Sequence, residues 1–282
     1  EALIAGLREA SGDRIGSFEL LPRVAVELAA RHVERQRRGD RCLTSGASEA
    51  QKGTIMKVEI ETKTWVMCSD CNGRVGTIDH LKPGDHVLEI GCGTGRNAVV
   101  LAQSGAKVLG VDPSAEQLAA ARERCEAADV RVELHQAELA ELAFLRSDSV
   151  DAAISVMALG SVDDLARVFR QVHRVLKPEA PLVCSVPHPA FAMLDPTGSD
   201  PLRIVHAYDD AATRTWELDG RDIVDRPRTF ADLFTTFQRS NFRVDQVIEP
   251  TASGRGGRDA TYADVMRTVP ATLLLRARKQ GN

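Results

Sequence analysis

Residues His86 to Asp112 read HVLEIGCGTGRNAVVLAQSGAKVLGVD, and this stretch decides the fold. Val87, Leu88 and Ile90 form a short apolar run, as expected of a strand buried on both faces. Gly91, Gly93 and Gly95 follow at once. Glycine permits positive φ and carries no Cβ to keep a ligand off the backbone. Asn97 to Gln103 then resumes a helical pattern, which Gly105 ends. Val108 to Val111 is a second buried strand, with Asp112 at its carboxyl end. Ligands of open α/β sheets bind at that end, and a carboxylate there suits the paired hydroxyls of a ribose.

Towards the N-terminus, Lys82-Pro83-Gly84-Asp85 is a turn into the first core strand. Residues 56–66 (MKVEIETKTWV) alternate apolar and polar, as an edge strand or hairpin arm does. Cys68 and Cys71 make one C-x-x-C with His80 and His86 downstream. A zinc site normally draws on a second pair, and none is present, so no metal is expected. Residues 1–55 read as an N-terminal helical extension and linker. Ser17 caps a helix bearing Leu20, Leu21, Val24, Leu28 and Val33, which ends in Arg35, Arg37 and Arg38; residues 39–55 are small and polar. A homodimer through these helices, or another partner, is the expectation for this segment. Glu1 in place of methionine suggests a start that lies upstream or was processed, and no signal-peptide pattern opens the sequence.

Towards the C-terminus, Pro113 stops the strand and Ser114 caps the next helix, with Gln117 at the capping-box position. That helix runs to about Ala128. Val130–Leu134 is a third strand, followed by Gln136-Ala137-Glu138-Leu139, and Val150–Val156 a fourth, ending near Ser155. Leu165–Leu176 is helical, Leu182–Val186 a fifth strand running into Pro187-His188-Pro189, and Thr229–Phe242 helical again. Arg243–Glu249 and Ala271–Ala277 are the last strands, joined by a glycine-rich connector at 253–257. Such alternation implies right-handed crossovers and a parallel sheet. Residues 190–227 break the rhythm with Pro, Asp and Gly around Phe191, Met193, Tyr208 and Trp216. An insertion after a strand's carboxyl end is expected to form a lid or substrate pocket.

The net charge is −4 and the pI about 6.0, so no basic field argues for nucleic acid. Aromatic residues are 4%, too few for a base-stacking platform. No apolar run is long enough to span a bilayer. Cys92, Cys125 and Cys184 lie in apolar runs, which fits a reducing, cytoplasmic setting better than a disulfide framework.

The glycine spacing is G-x-G-x-G, and Arg96 occupies the third-glycine position of the dinucleotide fingerprint G-x-G-x-x-G. Glu89 lies two residues ahead of the first glycine, where it repels a pyrophosphate and suits an ammonium or sulfonium. With Asp112 for ribose, these parts match S-adenosylmethionine.

EIGCGTGRN followed by VDPSAEQLAAAR resembles motif I and the acidic motif of class I S-adenosylmethionine-dependent methyltransferases (methyltransferase type 11-like). The likeness runs from His86 to Phe242 and includes the final VPATLLLRARK. It implies a Rossmann-like doubly wound α/β domain over residues 56–282, its seven-stranded, mostly parallel sheet ending in an antiparallel last strand, behind the N-terminal helical segment. The implied cofactor is S-adenosyl-L-methionine. Gly91, Cys92 and Gly93 then face its methionine portion, with Glu89 near the amino group. Asp112 holds the ribose and Pro113 packs on adenine. Ala137, Glu138 and Leu139 stand at the family's G-D-A positions, and Ser155 and Val156 line the methyl-transfer side. Asn97 and Gln117 complete the expected cofactor set.

Leu176-Lys177-Pro178-Glu179-Ala180 departs from the common L-K-P-G-G. Met157, Gly160, Ser161 and Pro227 stand where relatives often carry aromatics and a histidine. The expected activity is in-line methyl transfer to a small-molecule acceptor such as a natural-product intermediate, without nucleic acid or membrane as partner. His188 is the candidate general base, ahead of His206 and Tyr208. The alternatives are a binding module that kept the fold, or an NAD-dependent oxidoreductase, against which the missing glycine and Glu89 count.

Overall fold

A computed structural model describes residues 64–67, 74–78, 81–195, 198–218, 221–250 and 265–281. The expected N-terminal helices and linker, Cys68 and Cys71, and the 253–257 connector lie outside the described residues. The described segments all fall within the unit Glu59–Asn282.

The chain begins with an antiparallel hairpin of β1 (Thr64–Met67) and β2 (Arg74–Ile78). Then come β3 (His86–Ile90), α1 (Arg96–Gln103), β4 (Lys107–Asp112), α2 (Ala115–Ala127), β5 (Val132–Gln136) and β6 (Ala152–Val156). A 3-10 turn at Ala158–Ser161 leads to α3 (Leu165–Val175) and β7 (Pro181–Pro187). The insertion holds a second 3-10 turn, Phe191–Met193, and an antiparallel hairpin of β8 (Arg214–Leu218) and β9 (Arg221–Asp225). Next are α4 (Phe230–Arg239), β10 (Phe242–Ile248) and β11 (Thr272–Lys279).

Seven strands form one sheet in the order β10-β11-β7-β6-β3-β4-β5. β3 to β7 run parallel, and β11 enters antiparallel between β7 and β10. This is the Rossmann-like sheet with its antiparallel last strand. The chain steps outward from β3 to β4 and β5, then returns to place β6 on the other side of β3. The crevice above the carboxyl ends of β3, β4 and β6 is therefore the topological switch point, where such sheets bind ligands.

Both faces of the sheet are covered. Alternate residues of a strand point to opposite faces, so Leu88 and Ile90 join one core with Val172, Phe169 and Phe237 from α3 and α4. Val87 joins the other with Ala98 and Leu101 of α1. Glu89 shares the face of Val87, which aims a carboxyl at α1. No helix among the described residues is long and apolar enough to cross a membrane.

Most boundaries differ from the sequence reading by one or two residues, and four have a clear local reason. The third strand starts at Val132 rather than Val130, because the Val130 amide still donates to Cys125 at 3.1 Å and Asp129 takes φ 51 as α2 closes. The fourth strand starts at Ala152, and Val150 forms an isolated bridge with Leu176 instead. That bridge holds Leu176 extended, so α3 stops at Val175. α4 ends at Arg239 because Asn241 adopts φ 57, which turns Phe242 inward to open β10. The insertion is also more regular than its composition suggests, since a Leu194–Ile204 bridge precedes the hairpin.

The ring of Phe237 is fully buried, 4.3 Å from Phe169 and 6.1 Å from Phe242 between centroids. Removing it leaves a cavity between helices and sheet. Phe237→Ala is expected to lower stability by about 3–5 kcal/mol in urea denaturation; a loss below about 1 kcal/mol would show that the core closes over the gap.

Candidate active site

The chain leaves β3 through a turn in which Gly91, Gly93 and Gly95 have φ of 71, 50 and 73. These three glycines do different work. A Cβ on Gly91 would sit 2.1 Å from Cβ of Ala158, so Gly91 lets the turn after β6 approach. A Cβ on Gly95 would meet Ala121 at 3.0 Å, so Gly95 lets α1 and α2 pack closely. The third glycine of dinucleotide folds packs a helix on a strand, whereas Gly95 packs one helix on another. Above Gly93 the space is open, and the nearest atom to a Cβ there is Gln117 Oε1 at 3.8 Å. Gly93 is thus the glycine left for close approach of a ligand.

Hydrogen bonds to β4 hold this turn from behind. The amides of Gly91 and Cys92 donate to the Val111 carbonyl at 2.8 and 3.0 Å. The Gly93 amide donates to Asp112 Oδ2 at 2.8 Å, and the Ser114 amide to Asp112 Oδ1 at 2.9 Å. Each carboxylate oxygen has a second lone pair, so Asp112 pins the turn and can still accept from a ligand hydroxyl. Ser114 caps α2 by accepting from the Gln117 amide at 3.2 Å. The Cys92 thiol packs toward β4, 2.8 Å from where a Cβ on Gly110 would lie. Burial pushes its pKa up, so it stays neutral.

Glu89 is the least expected group in this setting. It is 1% exposed. Its Oε1 accepts from Asn97 Nδ2 at 3.2 Å, while Oε2 is buried with no partner. Burial pushes its pKa up to about 8, Asn97 and the Ala98 amide oppose that shift, and the Asp112 charge adds to it. A carboxyl held this way is neutral at pH 7 until a cation reaches Oε2. The orphaned oxygen therefore fits an ammonium or sulfonium and does not fit a phosphate.

The other expected residues divide into two groups. Pro113 is exposed beside Asp112, the Ala137 amide donates to the Asp112 carbonyl at 3.3 Å, Glu138 is exposed and Val156 is partly buried. These sit round the same crevice. Leu139 is in the core, and Ser155 is fully buried with its hydroxyl donated to the Ile90 carbonyl at 2.8 Å. Ser155 thus ties β6 to the end of β3 and has no free hydroxyl to offer.

His188 also departs from expectation. Its Nδ1 accepts from the Ala190 amide at 3.1 Å, so the neutral ring carries its proton on Nε2, 2.9 Å from Glu249 Oε1. Its own amide donates to Ala271. With both nitrogens engaged, His188 fastens the end of β7 to the neighbouring strands and has no lone pair for a substrate proton. Among the described residues no cluster of three or more His, Cys, Asp or Glu side chains could hold a metal ion.

Sequence reasoning marked Met157 as a departure from the family pattern, and missed both its backbone geometry and the two arginines that hold the insertion beside it. Met157 follows β6 at φ 62, with its amide 3.0 Å from the Ser185 carbonyl and 3.1 Å from Ser185 Oγ. A non-glycine residue in that region is held there by its surroundings, a common feature of functional turns. Arg226 donates to the Ser161 carbonyl at 3.1 Å and pairs with Asp163 at 3.2 Å. Arg228 donates to the Leu159 and Val162 carbonyls. Together they clamp the insertion onto the turn after β6. The arginines lie in the charged run RDIVDRPR, whose sequence does not show which carbonyls they meet.

Residues 87–179 match the family described as Methyltransferase domain. The chain is 37% identical over 95 residues to a ubiquinone biosynthesis O-methyltransferase of Sodalis glossinidius, covering 34% of this chain and 38% of that protein. It is 32% identical over 111 residues to a demethylmenaquinone methyltransferase of Symbiobacterium thermophilum, covering 37% of this chain and 43% of that one. The matches thus span less than half the length of these curated relatives. A crystal structure from Listeria monocytogenes, described as an S-adenosylmethionine-dependent methyltransferase, superposes with a TM-score of 0.59 at 27% identity over 71% of this chain and 93% of that one. Sheet order, glycine turn and family match together define a class I S-adenosylmethionine-dependent methyltransferase fold.

Because the folded pKa of Glu89 lies above the ordinary value of 4.5, its contribution to stability is full below pH 4.5 and is lost as pH rises through about 8. In thermal melts from about pH 5 to about pH 9, the wild type is expected to lose stability relative to Glu89→Gln. A pH-independent difference between the two would contradict this.

Proposed function

We propose that the chain transfers a methyl group from S-adenosylmethionine to a small-molecule acceptor. The observation that carries this reading is the orphaned, buried Oε2 of Glu89 at the end of β3, in the strand that leads into the turn where Gly93 is open. Glu89 would hold the ammonium of the methionine portion, Gly91–Gly93 would lie along it, and Asp112 would accept from the ribose hydroxyls. Pro113 and the Ala137–Glu138 segment would border adenine. When bound, the cofactor supplies an electrophilic methyl group on a good, neutral leaving group. The protein's part is then to orient the reactants and exclude water.

Glu89 must surrender its proton when the ammonium arrives, so binding is coupled to proton release. The buried carboxyl also disfavours the dinucleotide alternative, since no pyrophosphate gains from an acid at that place. The acceptor is small and partly apolar. The two curated relatives carry names of quinone methylation, and Val186 and Pro187 at the end of β7, with Pro189 and the insertion's Ala192, line a small apolar cleft. With the His188 ring engaged, the reading needs no histidine base.

Calorimetry with S-adenosylmethionine tests the proposal. Saturable binding is expected, with release of about 0.9 proton per cofactor at pH 7, the fraction protonated at a pKa of about 8. Asp112→Ala should weaken binding by about one to two orders of magnitude, since hydrogen bonds to a charged group contribute about 1.5–3 kcal/mol. No binding at millimolar cofactor would refute the proposal.

A further inference from the structure

Helix α1 opens with a polar side chain where helix and core both favour an apolar one. Asn97 is the second residue of α1 and is 9% exposed. Asparagine is a weak helix former, because its amide competes with the backbone for hydrogen bonds. Its favoured place at a helix start is the N-cap, and here that position belongs to Gly95, which offers no side-chain bond. Burying an amide also costs free energy unless it is bonded. The packing of α1 on the sheet is done by Ala98 and Leu101. Asn97 is spent instead on a second buried polar group, donating from Nδ2 to Glu89 Oε1 at 3.2 Å.

That bond divides the two oxygens of Glu89. Oε1 is tethered to α1, whereas Oε2 is buried with no partner. The last torsion of a glutamate is broad, so the strand alone does not fix the plane of the carboxyl, and the tether does. Because Nδ2 only donates, it also favours the ionised carboxylate over the neutral acid. The Ala98 amide of the same turn acts in the same sense. The other titratable groups about Glu89 do not help. Asp112 on β4 repels its charge, and burial keeps the thiols of Cys92 in the turn and Cys125 on α2 protonated.

We infer that Asn97 is the positioning residue of Glu89: its amide holds one carboxyl oxygen against α1, so that the other is presented to the ammonium of the methionine portion. The carboxyl O–H proton leaves to solvent as the ammonium arrives, and the Asn97 bond persists through the exchange. Asn97 thus acts on the cofactor through Glu89. The identity of the cation rests on the methyltransferase reading, whereas the hold on Glu89 does not.

The test follows the Glu89 carboxyl of the full chain by nuclear magnetic resonance and its S-adenosylmethionine affinity by calorimetry, from about pH 7 to about pH 9. Asn97→Leu keeps a branched side chain and removes the donor, and Asn97→Ala removes it in case leucine prevents folding. Loss of a hydrogen bond to a charged group is expected to make Glu89 about tenfold less acidic, moving its titration from about 8 to about 9. Affinity for S-adenosylmethionine should then fall about tenfold at about pH 7, where the carboxyl must first lose its proton, and less than about twofold at about pH 9. A residue that merely shaped the turn would weaken binding by the same factor throughout. An unmoved Glu89 titration in a folded variant, or a loss of affinity that is independent of pH, would overturn the inference. A raised titration in a chain that binds no S-adenosylmethionine would leave the hold of Asn97 on Glu89 standing and remove the cofactor reading alone.

Discussion

The carboxylate of Asp112 holds the glycine turn to the second core strand, and everything at the switch point depends on that grip. One oxygen takes the Gly93 amide and the other the Ser114 amide. A turn with three positive-φ glycines has little intrinsic preference for one shape. Bonds to Asp112 and to the Val111 carbonyl give it one. The same bonds leave the outer side of Gly93 open and fix the start of α2. Position and recognition therefore come from one side chain, which aims its remaining lone pairs where a ribose would lie.

Behind this turn stands the second acid. Glu89 is enclosed by α1 and the sheet, and its unpaired oxygen disfavours the ionised form. A structural core gains nothing from such a group, since an apolar residue of similar size packs there without penalty. A site for a buried cation does gain, because low dielectric strengthens the pairing as much as it penalises the lone charge. Glu89 thus separates a sulfonium-type cofactor from a dinucleotide more sharply than glycine spacing can. The two acids divide the labour: Asp112 is bonded at both oxygens and shapes the turn, whereas Glu89 is bonded at one and waits for charge.

The fold was legible because its signals are local. Val87-Leu88-Glu89-Ile90, the glycines and Asp112 fall within one strand–turn–helix–strand unit, and buried parallel strands announce themselves as apolar runs. The cofactor side was legible for the same reason, since Glu89, Gly93, Asn97 and Asp112 are neighbours in sequence. The acceptor side was not. His188 lies between two prolines and reads as a poised base. Only the folded chain brings Glu249 and the Ala190 amide to its two nitrogens. Ser155 likewise reads as a lining residue until its hydroxyl meets the Ile90 carbonyl across the sheet. Asp225 and Arg214 stand opposite each other in a hairpin within a stretch whose composition suggests irregular loop, so nothing in the sequence joined them. Boundaries slipped where a single non-glycine residue took positive φ, at Asp129 and Asn241, which sequence patterns do not reveal.

The central claim is that Glu89 is a neutral acid awaiting a cation. It is tested most directly by following the carboxyl carbon of Glu89 through a pH titration by nuclear magnetic resonance, assigned with Glu89→Gln. In the free protein the carboxyl is expected to titrate near pH 8. With saturating S-adenosylmethionine it should fall below about pH 5, because an adjacent positive charge favours the ionised form. A free-protein value near the ordinary 4.5, or a titration that the cofactor leaves unmoved, would contradict the account.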